Sequence, residues 1–197
     1  MLNKGGNDNM NKFIKLPLFL GIVGGLCGGV LALTHFITKD KIAADEYARA
    51  NAAFYEHFED FNKKNTVEVN ETLANAGVTA KYYIFNADLT YIGSVYQCEV
   101  VGYAGKSKPI KFTISFDETG KENNYVLLSH SETNQGNLFM TWLDGDNNGD
   151  RLSNLDAGKA ESGSTDTYKA VKGVVTVCKA DVTSYTEVPT YVEEEAK

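Results

Sequence analysis

The pattern of apolar and polar positions changes period several times along this chain. From Leu16 to Thr38 there is no Asp, Glu, Lys or Arg. The 22 residues from Leu16 to Ile37 make a helix about 33 Å long at ~1.5 Å per residue, enough to cross a bilayer core. A membrane helix is therefore predicted over 16–38. From Ile42 to Phe61 the period is helical, with Tyr47, Ala50, Phe54, Phe58 and Phe61 at three- and four-residue spacing. This predicts a helix leaving the membrane, its aromatic stripe facing a core. Asn65 to Gly77 is polar and compatible with a short helix. Strand patterns follow at Lys81–Phe85 and Thr90–Gly102. Ile110, Phe112, Ile114 and Phe116 then alternate with Lys111, Thr113 and Ser115, which predicts a half-buried strand. Asp117 to Gly120 reads as a turn and Tyr125–Ser129 as the returning strand, completing an antiparallel meander packed on helices. After Thr165, Ala170, Val171, Val174, Val175 and Cys178 return to helical spacing, with Thr165 or Asp166 placed to cap the start. A strand over Val174–Cys178 is the alternative there.

These periods give an α+β fold: one N-terminal transmembrane helix, then one domain with an antiparallel sheet packed on helices. The expected boundaries are a cytoplasmic N-terminus at 1–15, the span at 16–38, an exit helix at 39–64, the domain at 65–185 and an acidic tail at 186–197. A cleaved signal peptide fits less well. The apolar run is too long for an ordinary signal core, and no small-residue cleavage pattern precedes Thr38-Lys39-Asp40. Cys27 invites a lipoprotein signal, but Leu26 stands where a small residue is needed. Lys4, Lys12 and Lys15 precede the span, which places the N-terminus in the cytoplasm and the domain outside. Gly21/Gly25, Gly24/Gly28 and Gly25/Gly29 are small-xxx-small pairs that favour a partner helix in the membrane.

Charge narrows the function classes. The chain carries a net −7, and beyond residue 37 it holds 16 basic and 25 acidic residues. Nucleic-acid binding needs clustered Lys and Arg, so it is not expected. No C-x-x-C, G-x-S-x-G or phosphate-binding P-loop occurs, and His35, His57 and His130 have no metal-ligand spacing. Asp144, Asp146, Asn148 and Gly149 fit calcium-loop positions 1, 3, 5 and 6, but Leu155 occupies position 12, where a bidentate Glu is required. A solvated turn is the expectation. Cys98 and Cys178 are expected to be buried free thiols, with a disulfide as the alternative in an oxidising compartment.

The remaining chemistry lies in Ser162-Gly163-Ser164-Thr165-Asp166-Thr167. Small hydroxyl residues surround a glycine just before a helix. Such a loop offers an uncrowded hydroxyl, and the helix start beside it favours a negative phosphate. A Ser/Thr/Gly loop with a helix cap is the plainer reading of the same residues.

The hexapeptide resembles S-G-A-T-x-T, a signal for covalent flavin attachment. Four other stretches, in the same order, resemble the G subunit of the Rnf electron-transport complex, a relative of the C subunit of the sodium-pumping NADH:quinone reductase. They are Thr34 to Ala44 at the membrane exit, Val101-Gly102-Tyr103-Ala104-Gly105, the strand and turn from Ile114 to Lys121, and Ser129 to Asn137, which is similar to H-x-E-T-P-G-L-G. The resemblance implies an electron-carrier subunit of a membrane ion-translocating oxidoreductase, not a complete enzyme alone, with FMN joined by a phosphodiester to Thr165. It implies further that Ser162, Gly163, Ser164 and Thr167 frame the attachment and that Glu132, Thr133 and Gly136 shape the flavin pocket. No catalytic residue and no metal are implied. The partners implied are the complex's other membrane subunits and a flavin transferase. The chain departs from the pattern at Ser164 (Ala in the family), at Asn134-Gln135 (Pro-Gly), at Asn137 (Gly, where the larger side chain is expected to narrow the pocket) and at Lys159, where the transferase prefers Asp. A flavin-free tethered module and a stand-alone extracellular flavoprotein are the alternative readings.

Overall fold

The computed structural model describes residues 52–193. The N-terminus, the predicted span at 16–38 with its glycine pairs, the first part of the exit helix and the tail end at 194–197 lie outside the described residues. Among the described residues no helix is long and apolar enough to cross a membrane.

The described chain starts in helix α1 (residues 52–57) and continues through β1 (Lys63–Val67), α2 (Glu71–Ala76), β2 (Val78–Phe85), β3 (Tyr91–Val100), β4 (Ile110–Asp117) and β5 (Glu122–Ser129). Four helices follow: α3 (Asn134–Leu143), α4 (Asn148–Ser153), α5 (Leu155–Ser162) and α6 (Asp166–Thr183). The strands form one sheet in the order β1-β2-β3-β4-β5, every neighbouring pair antiparallel. The fold is thus α+β with a five-stranded meander. Local chemistry sets its punctuation. Asn70 caps α2 by accepting from Leu73 N at 2.9 Å, and Gly77 ends it in the left-handed region. Asp117 Oδ1 gathers the N–H groups of Thr119 and Lys121 at 2.9 and 3.0 Å, which folds the β4–β5 turn.

The main core lies between the sheet and α2–α6. Phe112, Ile114, Phe116, Tyr96 and Tyr125 from the strands meet Phe139, Met140, Leu143, Val171, Val174 and Cys178 from the helices. α6 is helical throughout, so the strand alternative over Val174–Cys178 does not occur. A smaller cluster covers the opposite face, where Phe54, Phe58 and Phe61 pack on Ile84, Val95 and Tyr82. The described part of the aromatic stripe, Phe54, Phe58 and Phe61, is core, as expected, whereas Tyr47 and Ala50 lie outside the described residues; the helix ends at residue 57 and the chain is extended again by Lys63. The expected boundary between 64 and 65 falls inside β1. Lys63 to Val67 shows no clean alternation, so its pairing with β2 was not legible.

That second layer also corrects the half-buried reading of β4. Thr113 and Ser115 are as buried as the apolar residues between them. α1 lies over them: His57 Nε2 is 2.7 Å from Thr113 Oγ1, and Asn123 donates to the His57 carbonyl at 2.6 Å and to Ser115 Oγ at 3.4 Å. β4 is covered on both faces, and its polar side chains are satisfied by hydrogen bonds rather than water.

Most described residues of the acidic tail at 186–197 are exposed, but two of them contact the domain. Val192 N donates to Asn65 Oδ1 at 2.9 Å, Asn65 Nδ2 returns a bond to the Val192 carbonyl, and Tyr191 stacks edge-on against Phe85 at 5.5 Å. At the end of α6 a buried ion pair joins helix to sheet. Lys81 Nζ lies 2.7 Å from Asp181 Oδ2, and Tyr96 and Tyr185 hydroxyls donate to the same oxygen at 2.7 and 3.2 Å. Cys98 and Cys178 are free and buried in the main core. Burial, with the neighbouring Cys178 second, pushes the Cys98 thiol well above its ordinary pKa.

The candidate cleft at the start of the last helix

Three short helices that hydrophobic period did not indicate, α3 to α5, fold the hexapeptide back against the β3–β4 loop. Gly158 permits this packing, because a β-carbon there would meet the Trp142 ring of α3. α5 is capped by Gly163, whose φ of 69° is costly for residues other than glycine, and α6 starts three residues later.

Between these elements lies a cleft of about 390 Å³, lined by Tyr103, Thr133, Asn134, Gln135, Gly136, Ser164, Thr165 and Asp166. That volume is within the usual range for small-molecule sites, ~300–1,000 Å³. The lining comes from the β3–β4 loop and from the first turns of α3 and α6. Helix first turns leave N–H groups without partners in their own helix and carry a partial positive charge of about half a unit.

The four hydroxyls of the hexapeptide are not equivalent. Ser162 is buried and donates to the Gly158 carbonyl at 2.7 Å, while its oxygen accepts from Ser164 N at 3.2 Å. Ser164 is buried, though it reaches the lining. Thr167 is wholly buried and donates to Glu132 Oε2. Thr165 is exposed on the cleft. It occupies the N-cap position of α6, yet its side chain makes no capping bond. The expected cap is therefore positional, and the Thr165 hydroxyl is not committed to the helix.

Glu132 is not on the lining. Its buried carboxylate accepts from Tyr103 N at 3.2 Å, from Ala104 N at 3.0 Å and from the Thr167 hydroxyl. It is a hub that ties the β3–β4 loop to the first turn of α6. Two glycines make room for it: a β-carbon on Gly102 would stand 2.6 Å from Glu132 Oε1, and one on Gly136 2.8 Å from Thr167 Oγ1. Gly136 thus serves the hub as well as the cleft. Thr133 is exposed on the lining and precedes α3. Asn134 takes a positive φ of 49°, a conformation Asn tolerates better than most residues. Asn137 is exposed and is not among the residues lining this cleft.

Sequence reading passed over Tyr103, Asn134, Gln135 and Asp166 as lining residues. Tyr103 carried a signal, an aromatic residue between two glycines in a loop, and it is 65% exposed. Gln135 carried none, since its place against Gly163 depends on helix packing. The calcium-loop residues lie elsewhere. α4 begins at Asn148, whose amide donates to the Tyr125 carbonyl at 2.6 Å. Among the described residues no group of three or more His, Cys, Asp or Glu is placed to hold a metal.

In comparisons with known proteins, no family model matches this chain, and no curated protein matches it.

Proposed function

We propose that this chain is the flavin-bearing subunit of an Rnf-type membrane electron-transport complex, with FMN joined to Thr165 by a phosphodiester. The observation that carries this reading is the contrast among neighbouring hydroxyls. Ser162 and Thr167 are buried and bonded to the chain's own groups, whereas Thr165 is exposed on a ligand-sized cleft at a helix start. The first-turn N–H groups of α6, which the Thr165 side chain does not cap, would hold the phosphate of a flavin joined there. Tyr103 and the α3 turn at Thr133–Gly136 form the walls against which a planar ring system would pack. FMN supplies the one- and two-electron chemistry; the protein contributes placement, electrostatics and shielding from water. The apolar run at 16–38 anchors the chain, its glycine pairs contact other membrane subunits, and the domain lies outside.

The test is intact-mass measurement with in-gel flavin fluorescence after co-expression with a flavin transferase. One covalent flavin is expected on the parent and none on Thr165→Ala. A fluorescent Thr165→Ala band defeats the assignment to Thr165. An unmodified parent leaves the flavin-free tethered module.

A further inference from the structure

The charges around the cleft differ from those of an ordinary phosphate site. Among the residues lining it there is no Lys, Arg or His, and there is one carboxylate, Asp166. Asp166 is the first residue of α6, directly after Thr165, and it is exposed. The positive end of α6 already faces this negative side chain. Lys169, one turn further on, is exposed and not part of the lining. The positive character that the lining itself offers a phosphate is therefore two helix first turns, about half a charge each, opposed by one full negative charge.

Phosphate esters differ in charge. A phosphomonoester such as that of free FMN carries about −1.5 to −2 at neutral pH. A phosphodiester carries −1, since esterification removes the second ionisable oxygen. With Asp166 adjacent the two first turns leave no net positive charge, so the monoester, with nearly twice the diester's charge, is disfavoured more strongly by the same carboxylate. Neutral backbone N–H donors suit the smaller charge, and no cation here draws in the larger.

We infer that the cleft selects the singly charged phosphodiester, and that Asp166 is the residue that disfavours free FMN. This inference rests on the reading of the cleft as a flavin site. Flavin is then retained by its bond to Thr165 rather than by phosphate affinity. Loose FMN does not occupy the site ahead of attachment.

The test uses the full chain in detergent, carrying Thr165→Val so that no flavin can be attached. Thr165 makes no capping bond, so this change does not disturb the start of α6. Riboflavin and FMN are titrated separately, and quenching of flavin fluorescence is read. Riboflavin is expected to bind at least as tightly as FMN. Adding Asp166→Asn is expected to tighten FMN by about three- to tenfold, from removal of one nearby partly screened charge, and to leave riboflavin unchanged. Raising the salt concentration should bring FMN toward riboflavin with Asp166 present and have a smaller effect without it. FMN binding more tightly than riboflavin, or Asp166→Asn moving both flavins alike, overturns the selectivity while leaving the cleft a flavin site. Absence of quenching by either flavin overturns the selectivity and the cleft's role as the ring's pocket, while attachment at Thr165 is decided separately by intact mass.

Discussion

Removing the Glu132 carboxylate should loosen the cleft from behind without touching its lining. In Glu132→Ala three donors lose their acceptor: the backbone N–H groups of Tyr103 and Ala104 and the hydroxyl of Thr167. Thr167 is wholly buried, so its orphaned hydroxyl costs about 1–3 kcal/mol. The two N–H groups lie in a partly exposed loop that water can reach, and each loses about 0.5–1 kcal/mol. The expected destabilisation is about 3 kcal/mol, equivalent to a fall in Tm of roughly 6–12 °C for a domain of this size. Glu132→Gln is the informative companion. Its carbonyl still accepts from Ala104, and the Thr167 hydroxyl can reverse and accept from the new amide. Oε2 now receives two donors, however, so the amide that replaces it faces the Tyr103 N–H donor to donor. A loss of about 1–1.5 kcal/mol is expected. Thermal unfolding followed by circular dichroism should give the order parent, then Gln, then Ala, with Thr165→Val close to the parent. Hydrogen exchange at residues 101–105 should accelerate in Glu132→Ala. The hub argument fails if Glu132→Ala lies within about 0.5 kcal/mol of the parent, or if Gln is as damaging as Ala.

Three further outcomes follow from buried groups away from the cleft. Burial lowers the His57 pKa to about 3, and its Nδ1 has no hydrogen-bond partner among the described residues. The unfolded chain therefore binds the extra proton between pH 6.5 and about 3, so this contribution is fully present above 6.5 and is lost as pH falls through that window. From pH 7 to pH 5 urea titrations should show a loss of about 2 kcal/mol that is absent in His57→Gln. Lys81 and Asp181 pair with side chains 6% and 13% exposed, so Lys81→Met or Asp181→Asn alone should cost about 3–5 kcal/mol in denaturant melts. Replacing both together should cost less than the two single losses combined, since neither charge is then left unpaired. The Cys98 and Cys178 thiols should resist an aromatic disulfide reagent in the folded protein and both react after denaturation, because both are buried and Cys98 is held protonated. Rapid labelling under native conditions would contradict that packing.

The meander was legible because alternation survives in its central strands and because Asp117 to Gly120 is turn chemistry with local hydrogen bonds. α6 was legible because it is 18 residues long and its apolar positions keep one period. β1 was hidden, since an edge strand of polar residues takes its conformation from its partner β2. α3 to α5 were hidden for a different reason. They are short, and Gly136, Gly149 and Gly158, which weaken a helical pattern, are there for close approaches to Glu132, the Asn123 carbonyl and Trp142.

What the sequence alone determined was the inventory: a hydroxyl-rich loop before a helix, a meander ahead of it, and an apolar run long enough to span a bilayer. Local rules of period, capping and turn formation act over a few residues, so a linear reading reaches them. Which hydroxyl is available was decided by tertiary structure. Thr167 turns inward because Glu132, 35 residues earlier in the chain, is buried beside it, and Gly102 and Gly136 leave the space. Thr165 turns outward, and Asp166 comes to stand on a cleft without a cation, because α3 and α5 meet at Gly158 and set the start of α6 against Tyr103. Exposure and charge environment depend on contacts between distant segments, and those exist only once the chain has folded.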